Sequence, residues 1–326
     1  MDICKVGFSA VMLVLALAMG IAAAPGAWAA EEVGVYVNVV ETATGEFDAV
    51  VGAAEAALTG AGWNVLASFE SGVEPECGKL RAHVIVVNNA EYAAQVVSHG
   101  PEGVFAIPLR VGVYQDERGT HVEVLNPRSL NRTVLGDAVE TSSASDALST
   151  LTTALQGAIA GKHVARQLGQ IRTKGYVGGM GGGEFMSKVE VIHEGGEYAS
   201  VAASVRAGIE ANQQGWKLVY TLEPAPGVTL FGITKSPTEA RAFGIAGDAR
   251  EDDEYVCPGL DHAAAFPIEV AVYSKGGKTV VATLDEMYRM KVYFEDAGNW
   301  AFMKNMTMPG AIFDEIEAAA LSKLGK

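Results

Sequence analysis

The densest group of side chains able to do chemistry is a loop reading Glu251-Asp252-Asp253-Glu254-Tyr255-Val256-Cys257-Pro258-Gly259-Leu260-Asp261-His262. Carboxylates, a thiolate and an imidazole together can hold a divalent or soft metal, which makes Cys257 and His262 candidate metal ligands. A run of acids is also what a solvated loop looks like, and no second cysteine stands at Cys-x-x-Cys spacing. Met303, Met306 and Met308, with Met287 and Met290 nearby, offer thioethers that suit Cu(I). The same residues beside Trp300 and Phe302 suit ordinary packing. Cys77 and Cys257 can form a disulfide, stay as free thiols, or serve a metal or redox role. Tyr114 and Tyr273 can be proton donors or ligand contacts, or can pack a sheet with the hydroxyl at its rim. The six histidines are scattered, and there is no Gly-x-Ser-x-Gly, His-Glu-x-x-His or Cys-x-x-Cys-His. No catalytic or cofactor-binding residue is assigned, and the cofactor is unknown.

The elements that must position these groups come in two copies. Ile107–Asn126 (IPLRVGVYQDERGTHVEVLN) aligns without a gap on Phe266–Asp285 (FPIEVAVYSKGGKTVVATLD). Pro108, Val111, Val113, Tyr114, Thr120, Val122 and Leu125 fall on Pro267, Val270, Val272, Tyr273, Thr279, Val281 and Leu284. Each copy alternates apolar and polar residues on both sides of a polar turn, the pattern of a β-hairpin. Gly276-Gly277 marks that turn in the second copy.

Upstream, Gly62-Trp63 matches Gly215-Trp216, and helical stripes precede both: Phe47, Val50, Val51, Ala54 and Leu58, then Tyr198, Val201, Val205 and Ile209. Strands at His83–Asn89 and Val228–Thr234 follow. Closing helices carry the stripes Leu148, Leu151, Leu155, Ile159 and Phe313, Ile316, Ala320, Leu324. Opening strands are placed at Val33–Val40 and Lys188–His193. The organisation expected is a signal peptide over 1–29, a first repeat domain over 30–161, a Gly-rich linker over 162–186 and a second repeat domain over 187–326. The linker's Gly178–Gly183 run lacks both a leading strand and a following Lys-Ser/Thr, so it is not a phosphate loop.

Composition narrows the setting. Of 326 residues, 39 are Asp or Glu against 24 Lys or Arg, a net charge of −15 that argues against nucleic acid or an anionic membrane as partner. Lys5, the apolar stretch Val11–Met19 and Ala27-Trp28-Ala29 have the layout of a cleaved export signal. The mature protein is therefore expected in the periplasm or outside the cell, with no stable membrane insertion and only Cys77 and Cys257 retained.

The order of elements, with Pro108-Leu-Arg-Val-Gly-Val-Tyr114 in the first copy, resembles the domain-of-unknown-function family 302 over roughly Val33–Ala160 and Ser187–Leu324. The second copy departs from the motif, since Glu269 stands where Arg110 stands in the first. The resemblance implies an α+β fold like that of the TATA-binding protein: tandem β-α-β-β-β-β-α repeats, curved antiparallel sheets with helices on one face, related by a pseudo-two-fold axis. It implies no reaction and no DNA binding. Each sheet's second face would be shielded by the other copy, so the chain can be a monomer, an internal pseudo-dimer. The expected function is that of an exported, soluble, non-enzymatic binding or accessory protein, its partner an unknown small ligand or protein. The alternative is a metallochaperone or metal-dependent enzyme using the Cys257–His262 loop.

Overall fold

Alternating apolar residues in the two aligned segments form the centre of two antiparallel sheets. The computed structural model describes residues 34–136, 142–169, 177, 181–247, 255–294 and 297–324. The stretch 1–29 expected to be an export signal, the acids at 251–254 and residues 178–180 of the glycine run lie outside them.

In the first half the elements are β1 (Tyr36–Ala43), α1 (Phe47–Gly60), β2 (Asn64–Glu70), β3 (Ala82–Asn88), α2 (Ala90–Val97), β4 (Leu109–Asp116), β5 (Gly119–Leu125), α3 (Pro127–Leu135), α4 (Ser142–Ala158) and β6 (Lys162–Leu168). In the second they are β7 (Val189–Glu194), α5 (Tyr198–Glu210), β8 (Lys217–Ala225), β9 (Val228–Thr234), α6 (Ser236–Gly247), β10 (Ile268–Lys275), β11 (Lys278–Leu284), α7 (Glu286–Tyr293), α8 (Gly298–Lys304) and α9 (Thr307–Leu321). The sheets run β2-β3-β4-β5-β1-β6 and β7-β11-β10-β9-β8. Apart from β6 the strand order is the same in both.

The correspondence extends to register. Val111 pairs with Val124 and Tyr114 with His121, while Val270 pairs with Thr283 and Tyr273 with Val280, each residue displaced by the same interval. Both halves enter the hairpin through a cis proline, at Ile107-Pro108 and Phe266-Pro267. Gly276 and Gly277 both have positive φ, +58° and +78°, as a two-residue primed turn requires.

Three features depart from the expected repeat. Helices α2 and α6 interrupt the run of four strands. Helices α3 and α7 follow each hairpin directly, started by Asn126 and Asp285, whose side chains accept backbone N–H groups. Lys162–Leu168, placed at the start of the linker, is strand β6, paired antiparallel with β1. An edge strand with unpaired N–H and C=O groups gains a ladder this way.

Helices α1 and α4 pack together on the first half as α5 and α9 do on the second. The stripe of α1 is buried as the periodicity requires, whereas Leu148 on α4 and Tyr198 on α5 are only half-buried, and on α9 Ile312 rather than Phe313 turns inward. The other face of each sheet meets the opposite half. The 3-10 segment Pro258–Ala265 lies across β4, and its counterpart Pro101–Ala106 lies against β10. Gly112 permits this approach, because a Cβ there would stand 2.6 Å from Glu123 Oε1 and 3.2 Å from Ala263 Cβ. Among the described residues, no helix is long and apolar enough to cross a membrane.

Candidate functional site at the seam of the two halves

Because strands β4 and β10 are covered on both faces, the polar positions of their alternation are buried. Arg110 is 1% exposed and Glu269 3%. They occupy equivalent places in the two halves, yet they touch: Arg110 Nη2 donates to Glu269 Oε1. Contact between a residue and its own counterpart is what a two-fold axis produces. Arg110 Nη1 also donates to the carbonyls of Ala264 (3.3 Å) and Ala265 (3.2 Å) across the seam. Burial opposes the guanidinium charge, but Glu269, with Tyr293 and Tyr220, holds the pKa of Arg110 above its ordinary value.

Further contacts fasten the halves. The Gly72 N–H donates to Glu239 Oε2 at 2.7 Å, and Tyr36 Oη donates to the Tyr293 carbonyl at 3.0 Å. Lys275 Nζ pairs with Glu102. Cys77 and Cys257 form a disulfide, with Cα atoms 5.6 Å apart. Of the alternatives open for these cysteines, the structure contains the cross-link.

The candidate metal ligands therefore part company. The Cys257 sulfur is bonded to Cys77 and offers no thiolate. His262 is 1% exposed, with Nδ1 2.8 Å from Asp261 Oδ1 and its ring stacked on Phe294 at 5.3 Å. Among the described residues no group of three or more His, Cys, Asp or Glu side chains is placed to hold a metal ion. The methionines also disperse: Met290 is buried, Met308 packs against the core, and Met303 and Met306 are exposed. Tyr114 and Tyr273 are buried at equivalent places. Asn38 Nδ2 donates to Tyr114 Oη at 3.1 Å, and burial, then Asp261, pushes that phenol well above its usual range.

The disulfide bounds a cleft of about 570 Å³. Glu74 and Glu76 come from the first half, Arg241, Phe243 and Ile245 from α6, and Tyr255–Pro258 from the loop singled out in the sequence. Arg241 Nη2 donates to Asn305 Oδ1 at 2.7 Å across its far side. Neither Arg241 nor the Glu74–Glu76 pair stands out in the sequence, since each is an ordinary surface charge until the halves are docked.

Glu286, at the start of α7, is another group the sequence leaves unmarked. It is 3% exposed, and its Oε1 has no hydrogen-bond partner. Burial pushes its carboxyl up to about 7 against the pull of Arg289, with Glu269 and Asp285 adding to the rise. The folded protein thus binds this proton more tightly than the unfolded chain, whose ordinary value is 4.5. The contribution is complete below the unfolded value and is lost as pH rises through the folded one, about 3 kcal/mol by about pH 8. Glu286→Gln is expected to match wild type near pH 4.5 and to exceed its stability by about that amount near pH 8. Urea unfolding at both pH values checks this, and an equal effect at the two would contradict it.

These features define an α+β protein whose two similar sheets enclose a polar seam. Residues 39–158, in the first half, match the family model described as "Domain of unknown function DUF302". The second half, with the same strand order, lies outside the matched residues. Among solved structures the chain is similar to an uncharacterized conserved DUF302 protein from Bacillus stearothermophilus, at 21% identity over 38% of this chain and 95% of that one, with a TM-score of 0.32. No curated protein matches the chain.

Proposed function

We propose that this chain is an exported, non-enzymatic binding protein that holds a small polar molecule in the cleft beside the Cys77–Cys257 disulfide. The observation that carries the reading is the cleft's size and position: about 570 Å³, walled by both halves. That volume lies within the range of small-molecule sites. Glu74, Glu76 and Arg241 line it together with Phe243, Ile245 and Leu260. Such a lining suits a ligand with charged ends and an apolar body. A disulfide is at home in an oxidising compartment, in keeping with the export signal read at 1–29.

Gly244 gives the test. It has ordinary helical backbone in α6, and a Cβ there would stand 3.5 Å from Glu74 Cγ. Gly244→Trp is therefore expected to fill the cleft without straining the chain. Thermal-shift screening of wild type against polar metabolites should find stabilising compounds whose affinity falls at least about tenfold in this variant, one lost interaction of about 1.4 kcal/mol. No stabilising compound, or compounds bound equally by Gly244→Trp, would remove the reading.

A further inference from the structure

A groove of about 340 Å³ opens on the second half, where edge strand β7, the start of α7 and the first turns of α9 come together. It shares no lining residue with the cleft beside the disulfide. Its charged wall is of one sign: Glu190, Asp285 and Glu286 line it, and no lysine, arginine or histidine does. Met287, Met306 and Phe313 supply the apolar wall. The volume lies at the lower end of the range for small-molecule sites.

The three carboxylates are engaged to different degrees. Asp285 Oδ1 accepts the Tyr288 N–H at 2.7 Å as the cap of α7. Glu190 is half-buried on β7, and among the described residues nothing pairs with its side chain. Glu286 is 3% exposed, and its Oε1 is buried with no donor. Arg289, one turn further along α7, acts on Glu286 through its charge. Its Nη2, however, donates to the carbonyls of Ala265 and of Pro267, the latter at 3.3 Å, and its Nε is also unbonded. A buried acceptor without a donor is costly, and a ligand that brings the donor recovers that cost.

The chemistry of the walls narrows the ligand. An anion would meet three carboxylates. A bare metal ion has no seat, since among the described residues no three His, Cys, Asp or Glu side chains converge on a point. An ammonium group carried on an apolar body answers both walls, and the net charge of −15 draws cations toward the protein. Glu286 needs an N–H donor, which a quaternary ammonium lacks.

We propose that this groove binds a primary organic amine, its ammonium donating to Glu286 and its apolar body lying against Met287, Met306 and Phe313. Glu190 and Asp285 add attraction at the same end. The site stands apart from the larger cleft, and its occupant does not depend on what that cleft holds.

Calorimetric titration of the whole protein at about pH 8, above the value of about 7 to which the Glu286 carboxyl is raised, tests this. The probes are 2-phenylethylamine, 2-phenylethanol and trimethyl(2-phenylethyl)ammonium. The amine is expected to bind, and the alcohol and the quaternary ion to bind at least about tenfold more weakly for want of a charge-assisted hydrogen bond. Glu286→Gln should weaken the amine at least about tenfold, in a variant expected to be more stable than wild type at this pH. Glu190→Gln should weaken it several-fold. At Gly310, which lines the groove, a Cβ would meet no atom within 4 Å, so Gly310→Phe fills the space without strain and should abolish binding. Gly244→Trp should leave the amine's affinity unchanged. Absence of amine binding, equal binding of the alcohol or the quaternary ion, or affinity that survives Glu286→Gln or Gly310→Phe would overturn the proposal. Loss of amine binding in Gly244→Trp would do so too, by moving the amine into the cleft.

Discussion

Replacing Arg110 by methionine is expected to cost about 3–5 kcal/mol, because it leaves the Glu269 carboxylate buried without its partner. Glu269 is 3% exposed, and water cannot take over the role of the guanidinium. The carbonyls of Ala264 and Ala265 lose their donor in the same step. Arg110→Met/Glu269→Leu removes both charges and is expected to recover at least half of the loss, since desolvating two ions offsets much of their attraction. The informative variant is the exchange Arg110→Glu/Glu269→Arg. If the two positions are related by the axis, the swapped pair meets in nearly the same geometry, and stability returns to within about 1 kcal/mol of wild type. Guanidinium unfolding of the four proteins measures all of this. A single variant costing under about 1 kcal/mol would show that the pair is not desolvated. A swap as damaging as the single variant would show that the two places are not equivalent.

Removal of the disulfide has a comparable expected effect through a different state. Cys77 and Cys257 are 180 residues apart in sequence, so the bond restricts an unfolded chain that would otherwise explore a long loop. Chain entropy for a loop of this length gives about 5 kcal/mol as an upper value, and residual structure in the unfolded state lowers it. Cys77→Ser/Cys257→Ser is expected to lose about 3–5 kcal/mol, with a steeper dependence on denaturant because the uncrosslinked chain exposes more surface. Wild type treated with a thiol reductant should follow the same curve. A difference below about 1 kcal/mol between oxidised and reduced protein would mean that the bond does not constrain folding. Both halves should melt in one transition when oxidised, since the bond and the Arg110–Glu269 pair tie the same seam.

The fold was legible where neighbours along the chain decide it. The hairpins at Ile107–Asn126 and Phe266–Asp285 follow from alternation and, in the second, from the two glycines at its turn. The apolar stripe of α1 is buried as its 3.6-residue spacing requires, from Phe47 to Leu58. Helix α2 was missed although Asn89 announces it, its Oδ1 accepting the N–H groups of Glu91 and Tyr92, because eight residues give too little periodicity to outweigh the strand before them. The Asn126-Pro127 start of α3 is a cap followed by a first-turn proline, hidden by its position at the end of a hairpin.

The candidate site was legible only in part. The loop containing Cys257, Asp261 and His262 does lie at the seam, but as a wall of the cleft and the anchor of a cross-link. The aligned hairpins already contain the exchange of Arg110 for Glu269, since both lie in the gapless segment. What they do not contain is the burial of those residues. Alternation assigns one face of a strand to helices of the same half, and the spacing of a few residues is enough to specify it. The other face is covered by a segment more than a hundred residues away, and a polar side chain there has the same local pattern whether it meets water or the opposite half. The pairing of Cys77 with Cys257, the partner of Arg110 and the cleft beside the disulfide were settled by that docking, because each depends on distances between parts of the chain that local periodicity does not relate.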